Sequence, residues 1–188
     1  MSYLRTFAPW IVYALISGDS PSSKLWGALA GFVASLVVLI DQRRRGSRTD
    51  ALIIEIGSGV FFAALAAFVF VAPGSGLLDY ATALSSAALA VIAWVSLAIH
   101  RPFTLGIAKQ STPSTVWDRP LFRRTNVIIT TVWAASFTLS ALALAVVVRD
   151  GGGTLARSVV QVLAFVIPMV FTVRYAAAVR ARAAAITD

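Results

Sequence analysis

The chain has no cysteine. Disulfides, thiolate nucleophiles and cysteine-ligated metals are therefore excluded. It has one histidine, His100, which lacks the companion ligands that a metal site needs. No serine or carboxylate stands at a recognisable catalytic spacing from it, so it reads as a residue placed at a membrane interface. Charge is sparse as well, with 13% of the 188 residues being Asp, Glu, Lys or Arg. Gly151-Gly152-Gly153 has no Gly-Lys-Ser/Thr after it and no strand before it, so it is a turn and not a phosphate cradle. These gaps leave no catalytic constellation. The expectation is a protein that is not an enzyme and holds no cofactor or metal.

What the chain does have is apolar surface. Hydrophobic residues make up 59% of it, and its mean hydropathy is +0.83. A soluble domain is roughly 45–50% apolar, and a small domain leaves much of its surface exposed. Lipid is the natural solvent for such an excess. The net charge of +8 and pI near 11.1 resemble those of nucleic-acid-binding proteins. The basic residues, however, fall between apolar runs, where membrane topology explains them, so no nucleic-acid partner is expected. Met1–Ser17 has only Arg5 as a basic flank and no evident processing site, which favours uncleaved insertion.

A spanning helix needs roughly 20 apolar residues. Ser22–Ile40, Ala51–Ala72, Asp79–Ile99, Val127–Val148 and Leu155–Tyr175 reach about that length with few charges. Tyr3–Ser17 is shorter and contains Pro9. It is expected to span, or else to dip in and return. The expected fold is an all-α, polytopic membrane bundle in one transmembrane domain, residues 1–188. It has six helices, or five plus one short: 3–17, 22–40, 51–72, 79–99, 120–148 and 155–175. A cytoplasmic interfacial loop covers 100–119.

Orientation follows from the loops. Asp41–Asp50, His100–Asn126, the tail after Phe171 and Arg5 hold thirteen basic residues; the alternate side holds Lys24, Arg149 and Arg157. The rich side is expected to be cytoplasmic, with both termini there if the first segment spans. Gly18–Ser23, Pro73–Leu78 and Asp150–Gly153 are short external turns. Ala28-Leu29-Ala30 and Ala88-Leu89-Ala90, together with Ile53/Phe61 and Ile129/Phe137, hint at a parallel duplication, although small apolar residues recur by chance in membrane helices. Gly27-x-x-x-Gly31, Ala63-x-x-x-Ala67, Ala83-x-x-x-Ala87 and Ser136-x-x-x-Ser140 are spaced for close helix packing. Pro168 should kink the last helix.

Two groups of residues are candidates for function. The first is an intramembrane polar site. Glu55 lies five residues past Asp50, about 7 Å into its helix, and ionisable residues at depth are costly and often functional. Asn126, Thr130, Trp133, Phe137 and Ser140 follow one another along one helical face and offer Glu55 partners. A structural pair, a carboxylate snorkelling to interfacial water, and a proton or substrate role are all open for Glu55. For the stripe, interhelical hydrogen bonding and a cavity lining are both open.

The second group occupies the longest polar interruption, His100 to Phe137. Thr112 and Pro113 suggest a short helix from about Pro113 to Asp118, and Pro120 then starts the next spanning helix. Arg101, Phe103, Trp117, Arg119, Arg123 and Arg124 are expected to contact lipid or a partner: apolar groups dip into the headgroup layer and arginines meet phosphates. Ordinary positive-inside bias is the alternative.

Arg101-Pro102, Trp117, Leu121, Asn126, Trp133 and Phe137 resemble the loop-and-helix signature of the intracellular septation protein A family of bacterial inner-membrane proteins. The likeness covers the second half of the chain better than the first. The Arg123-Arg124 pair and the long loop insert depart from the family pattern. The resemblance implies a role in cell-envelope maintenance or division without a defined reaction, and it supplies no catalytic residues. The expected function is therefore a non-enzymatic role in envelope organisation at the bacterial inner membrane. Its expected partners are membrane lipids, anionic ones among them, and other envelope membrane proteins, with a homo-oligomer compatible. The alternative is a small transporter or channel with a pathway near Glu55 and the fifth helix.

Overall fold

The computed structural model describes residues 5–44 and 52–184. They form helices α1 (Ala8–Ile16), α2 (Pro21–Arg44), α3 (Ile53–Val71), α4 (Ala81–Ala98), α5 (Phe103–Lys109), α6 (Pro120–Arg149) and α7 (Thr154–Ala184). Short 3-10 turns at Gly76–Tyr80 and Ser114–Val116 precede α4 and α6. No strand occurs among the described residues. The arginine-rich connection expected at 41–50 leaves the described residues after Arg44.

Among the described residues five helices are long and apolar enough to cross a membrane: α2, α3, α4 with its leading turn, α6 and α7. The expected first segment, 3–17, begins outside the described residues; its described part holds helical Arg5 and Thr6, a turn at Phe7 and then α1. With nine residues, α1 is about 14 Å long, less than half of a roughly 30 Å hydrocarbon core. Pro9 fits its first turn, where the missing N–H costs nothing, and the Gly18-Asp19-Ser20 turn follows its end. It nonetheless belongs to the core, since Phe7, Trp10 and Tyr13 are all buried.

The bundle is built from packed neighbours: α1 on α2, α2 on α3, α4 on α6 and α6 on α7. Both hairpins of the suspected duplication thus exist as packed pairs. Gly27 and Gly31 show why that spacing is there. A Cβ on Gly27 would come within 2.9 Å of the Ser17 Cβ, and one on Gly31 within 3.0 Å of the Phe62 ring. One side of α2 therefore admits α1 at one glycine and α3 at the other. Ala63 and Ala67 differ from the expectation, because that side of α3 is exposed and they pack no partner helix here.

The loop 100–119 also departs from its expectation. Its first part is not a surface loop with apolar residues turned outward. Phe103–Lys109 is helical, and Phe103 and Ile107, one turn apart, are buried in the core. Pro102 sets the extended entry to this helix, with φ −51° and ψ 128°. The turn expected over Pro113–Asp118 shrinks to Ser114–Val116, and Thr112 acts through its carbonyl, which accepts from the Trp117 indole at 2.9 Å.

Helices α4 and α6 end alike. The N–H of Arg101 reaches the Ser96 carbonyl and that of His100 the Leu97 carbonyl. At α6, Gly152 reaches Val147 and Gly151 reaches Val148. Both are Schellman caps whose pivot takes a left-handed backbone. Gly151 has φ 70° and His100 has φ 57°.

Candidate functional site

Two polar clusters lie inside the bundle, and they are built differently. The first is centred on Glu55, the chain's one glutamate. It is the third residue of α3, in the turn where backbone N–H groups lack helical partners and a carboxylate is favoured by the helix dipole. It is 1% exposed. Its Oε1 accepts from Gln42 Nε2 at 2.5 Å, and Gln42, on α2, is itself 2% exposed. The Gln42 Oε1 in turn lies 3.4 Å from Gln110 Nε2, just past α5. Thr6 and Arg5, at the entry to α1, stand beside the carboxylate, and Arg5 forms an ion pair with Asp41 on α2. The Glu55 Oε2 is buried with no hydrogen-bond partner among the described residues.

The second cluster is the stripe on α6. Asn126 donates to the Phe122 carbonyl within its own helix at 2.9 Å, and its main-chain carbonyl accepts from Thr104 of α5 at 3.0 Å. The Thr104 and Thr130 hydroxyls are 2.7 Å apart. The Trp133 indole donates to Thr172 of α7 at 3.0 Å, and Thr172 donates to the Pro168 carbonyl. The Ser140 and Ser86 hydroxyls join α6 to α4 at 3.2 Å. Phe137 completes the face, packing with Trp133 and with Phe165 of α7. Phe7 of the α1 entry stacks on Trp133 at 5.0 Å between centroids.

The two parts of the expected intramembrane site are therefore tied to different helices. Asn126, Thr130 and Trp133 are bonded to α5 and α7. Glu55 accepts from Gln42 of α2 and has Thr6 and Arg5 beside it, and the expected partners on the fifth run are bonded elsewhere. Gln42 was missed because it sits in an arginine-rich stretch that reads as loop. Its position carried a signal nonetheless, since in a helical hairpin residues equidistant from the turn face each other. Gln42 lies two residues before the end of α2 at Arg44, and Glu55 two residues after the start of α3 at Ile53.

Ser136 was noted only for its small size, yet it has a specific partner. Pro168 has no N–H for the carbonyl four residues earlier. That carbonyl belongs to Ala164, and the Ser136 hydroxyl donates to it at 3.0 Å. The serine on α6 thus replaces the donor that the proline inside α7 removes.

Of the residues expected at lipid, Arg101, Arg119, Arg123 and Arg124 are exposed and Trp117 is partly so. Phe103 is the exception: it is 2% exposed and packs edge-on with Phe7 and Trp133. Seven residues of helix are enough to turn its ring inward, on the same face as Ile107. Lys109 lies 5.3 Å from the centre of the Trp117 ring, a cation–π distance.

Compared with protein-family models, curated proteins and solved structures, the chain matches none.

Proposed function

We propose that this chain is a non-enzymatic protein of the bacterial inner membrane that works through contacts, with its helices meeting partner helices and its basic end meeting lipid. The observation that carries this reading is the closure of the α6 stripe. Each of its polar members spends its hydrogen bonds on its own helix or a neighbour. A face so used holds helices together and does not line a path. What remains for recognition is the outer surface, where Leu155, Val162, Ile167 and Val173 of α7 are all more than half exposed. The septation-like signature suggests cell-envelope organisation or division as the setting. In this reading the basic end is cytoplasmic. Single cysteines at Ser111 and Ser75, labelled by an impermeant reagent in intact cells, test that arrangement: Ser75 labels and Ser111 does not. Affinity capture from native membranes tests the function. Recovery of envelope or division components supports it; recovery of none, with no retained lipid, overturns it.

A second reading, a small transporter or channel, has one observation in its favour: the buried Glu55 Oε2, which has no hydrogen-bond partner among the described residues. A buried carboxylate oxygen is expensive to leave unpaired, and intramembrane acids commonly mark ion or proton paths. Substrate-dependent flux in proteoliposomes that disappears in Glu55→Gln supports this reading, and flux unchanged by the substitution removes Glu55 from it.

A further inference from the structure

The first two turns of α6 stand where a bilayer changes from headgroup to hydrocarbon. The helix has 30 residues, about 45 Å at 1.5 Å per residue, so it exceeds a roughly 30 Å core. Arg149 marks one end. Arg124 lies twenty-five residues earlier, about 37 Å away, which is the core plus part of the headgroup layer on each side.

Arg124 also points the right way. Leu142 follows it by eighteen residues, five full turns, and therefore lies on the same line along the helix. Leu142 is 62% exposed, and its flanking neighbours Leu139 and Val146 are 67% and 48% exposed. This is the face that lipid tails cover. Val127 continues it at 41% exposure. Arg123 and Arg124, both exposed, sit at its top with Leu121, which is 50% exposed. A guanidinium directly above a tail-facing stripe is placed at phosphate level, and its planar fork matches phosphate oxygens.

Arg119 precedes Arg123 by one turn and is exposed too, as is Arg101 after α4. Among the described residues no carboxylate forms an ion pair with any of these four arginines. Their positive charge is not matched by any described carboxylate. By contrast Arg149, at the other end of the same helix, is matched by Asp150 at 2.9 Å.

We propose that Arg123 and Arg124, assisted by Arg119 and Arg101, form a docking site for the phosphate headgroup of an anionic phospholipid, whose tails lie along the Val127–Leu142 face of α6. This deepens the membrane-contact reading above and rests on it. The inward turn of Phe103 and Ile107 narrows the apolar part of the site to the start of α6, because the 100–109 stretch presents little apolar surface to lipid.

The test is native mass spectrometry of the full chain from micelles holding equal phosphatidylglycerol and phosphatidylcholine. The wild type retains phosphatidylglycerol preferentially. Arg123→Gln with Arg124→Gln lowers that preference roughly tenfold or more. Arg123→Lys with Arg124→Lys, which keeps the charge, retains most of it, and Arg149→Gln leaves it intact. Equal preference in the wild type and the glutamine pair overturns the proposal, as does an equal loss in Arg149→Gln. Carbonate extraction of the same proteins separates the two layers of the argument. A wild type released by carbonate fails the membrane reading itself. One that stays inserted but shows no headgroup preference fails only this inference.

Discussion

The Glu55 cluster and the α6 stripe are both buried and polar, but only the stripe is closed. Thr104, Thr130, Trp133, Thr172, Ser86 and Ser140 form side-chain hydrogen bonds that cross between helices. Serine, threonine and tryptophan suit that task, because one short donor satisfies one acceptor and leaves no charge. Glu55 brings two oxygens, and one of them, Oε2, has no hydrogen-bond partner among the described residues. In lipid, where no bulk water repairs the shortfall, this difference separates a residue that fastens helices from one with capacity to spare. The contrast is open to attack from either side.

The strongest attack is on the stripe. Trp133 is fully buried, with Phe7, Phe137 and Phe165 around its rings and Thr172 on its indole. Trp133→Ala should cost about 3–5 kcal/mol, the usual loss for a large aromatic in a packed interior. Denaturant titration in mixed micelles measures it. A cost under about 1 kcal/mol would mean that the ring is not part of the packing that holds α1, α6 and α7.

The next attack is on Glu55 through its partner. Gln42→Leu leaves a buried carboxylate with neither oxygen hydrogen-bonded to a side chain of α2, and should cost about 2–3 kcal/mol. Adding Glu55→Leu removes the orphan, so the double variant should regain much of that loss. If the double variant is instead less stable than the two single losses added together, Glu55 has a structural partner beyond Gln42, and the cluster is as closed as the stripe.

The two clusters were unequally legible in the sequence for a physical reason. A stripe on one long helix repeats at helical spacing, so Asn126, Thr130, Trp133, Phe137 and Ser140 can be found by counting. Its partners lie on other helices, and nothing in the sequence says that Thr104 or Thr172 stands opposite. The five long helices announce themselves by apolar length. The seven residues of α5 cannot: their inward face is Phe103 and Ile107, which in isolation suit a headgroup layer equally well. The Glu55 cluster was half visible. An acid inside an apolar run is conspicuous, but Gln42 sits beside Arg43 and Arg44, where helix and loop look alike. The short α1 was hidden by composition, since a nine-residue buried helix and the edge of a spanning one are equally apolar.

A smaller effect tests whether closure of the stripe side extends to the backbone. Ser136→Ala removes the side-chain donor that reaches the Ala164 carbonyl in place of the Pro168 N–H. Hydrogen bonds between membrane helices are worth roughly 0.6 kcal/mol on average and up to about 1.7. The upper part of that range is expected here, because the carbonyl has lost its helical donor as well. Ser136→Thr should retain the bond if the added methyl fits. A loss in Ser136→Ala no larger than in Ser136→Cys would mean that size at this position matters more than the hydroxyl.

The smallest effect has the opposite sign. His100 holds a left-handed backbone at the end of α4, where Gly151 does the same at the end of α6. The turn it makes carries the chain to Phe103, whose N–H donates to Ser96 Oγ at 3.2 Å, and so sets α5 with Thr104 against Thr130. A left-handed conformation costs a residue with a Cβ about 1–2 kcal/mol. Glycine avoids that strain but gives up roughly 0.5–1 kcal/mol in chain entropy. His100→Gly should therefore stabilise the protein by about 0.5–1 kcal/mol, while Gly151→Ala should destabilise it by a similar amount. Thermal unfolding of both variants, followed by tryptophan fluorescence, gives the pair of signs. If His100→Gly is destabilising, the imidazole is worth more than the strain it carries. The α4 end would then be held by a side-chain contact, and the closed half of the molecule would reach one residue further toward the membrane surface.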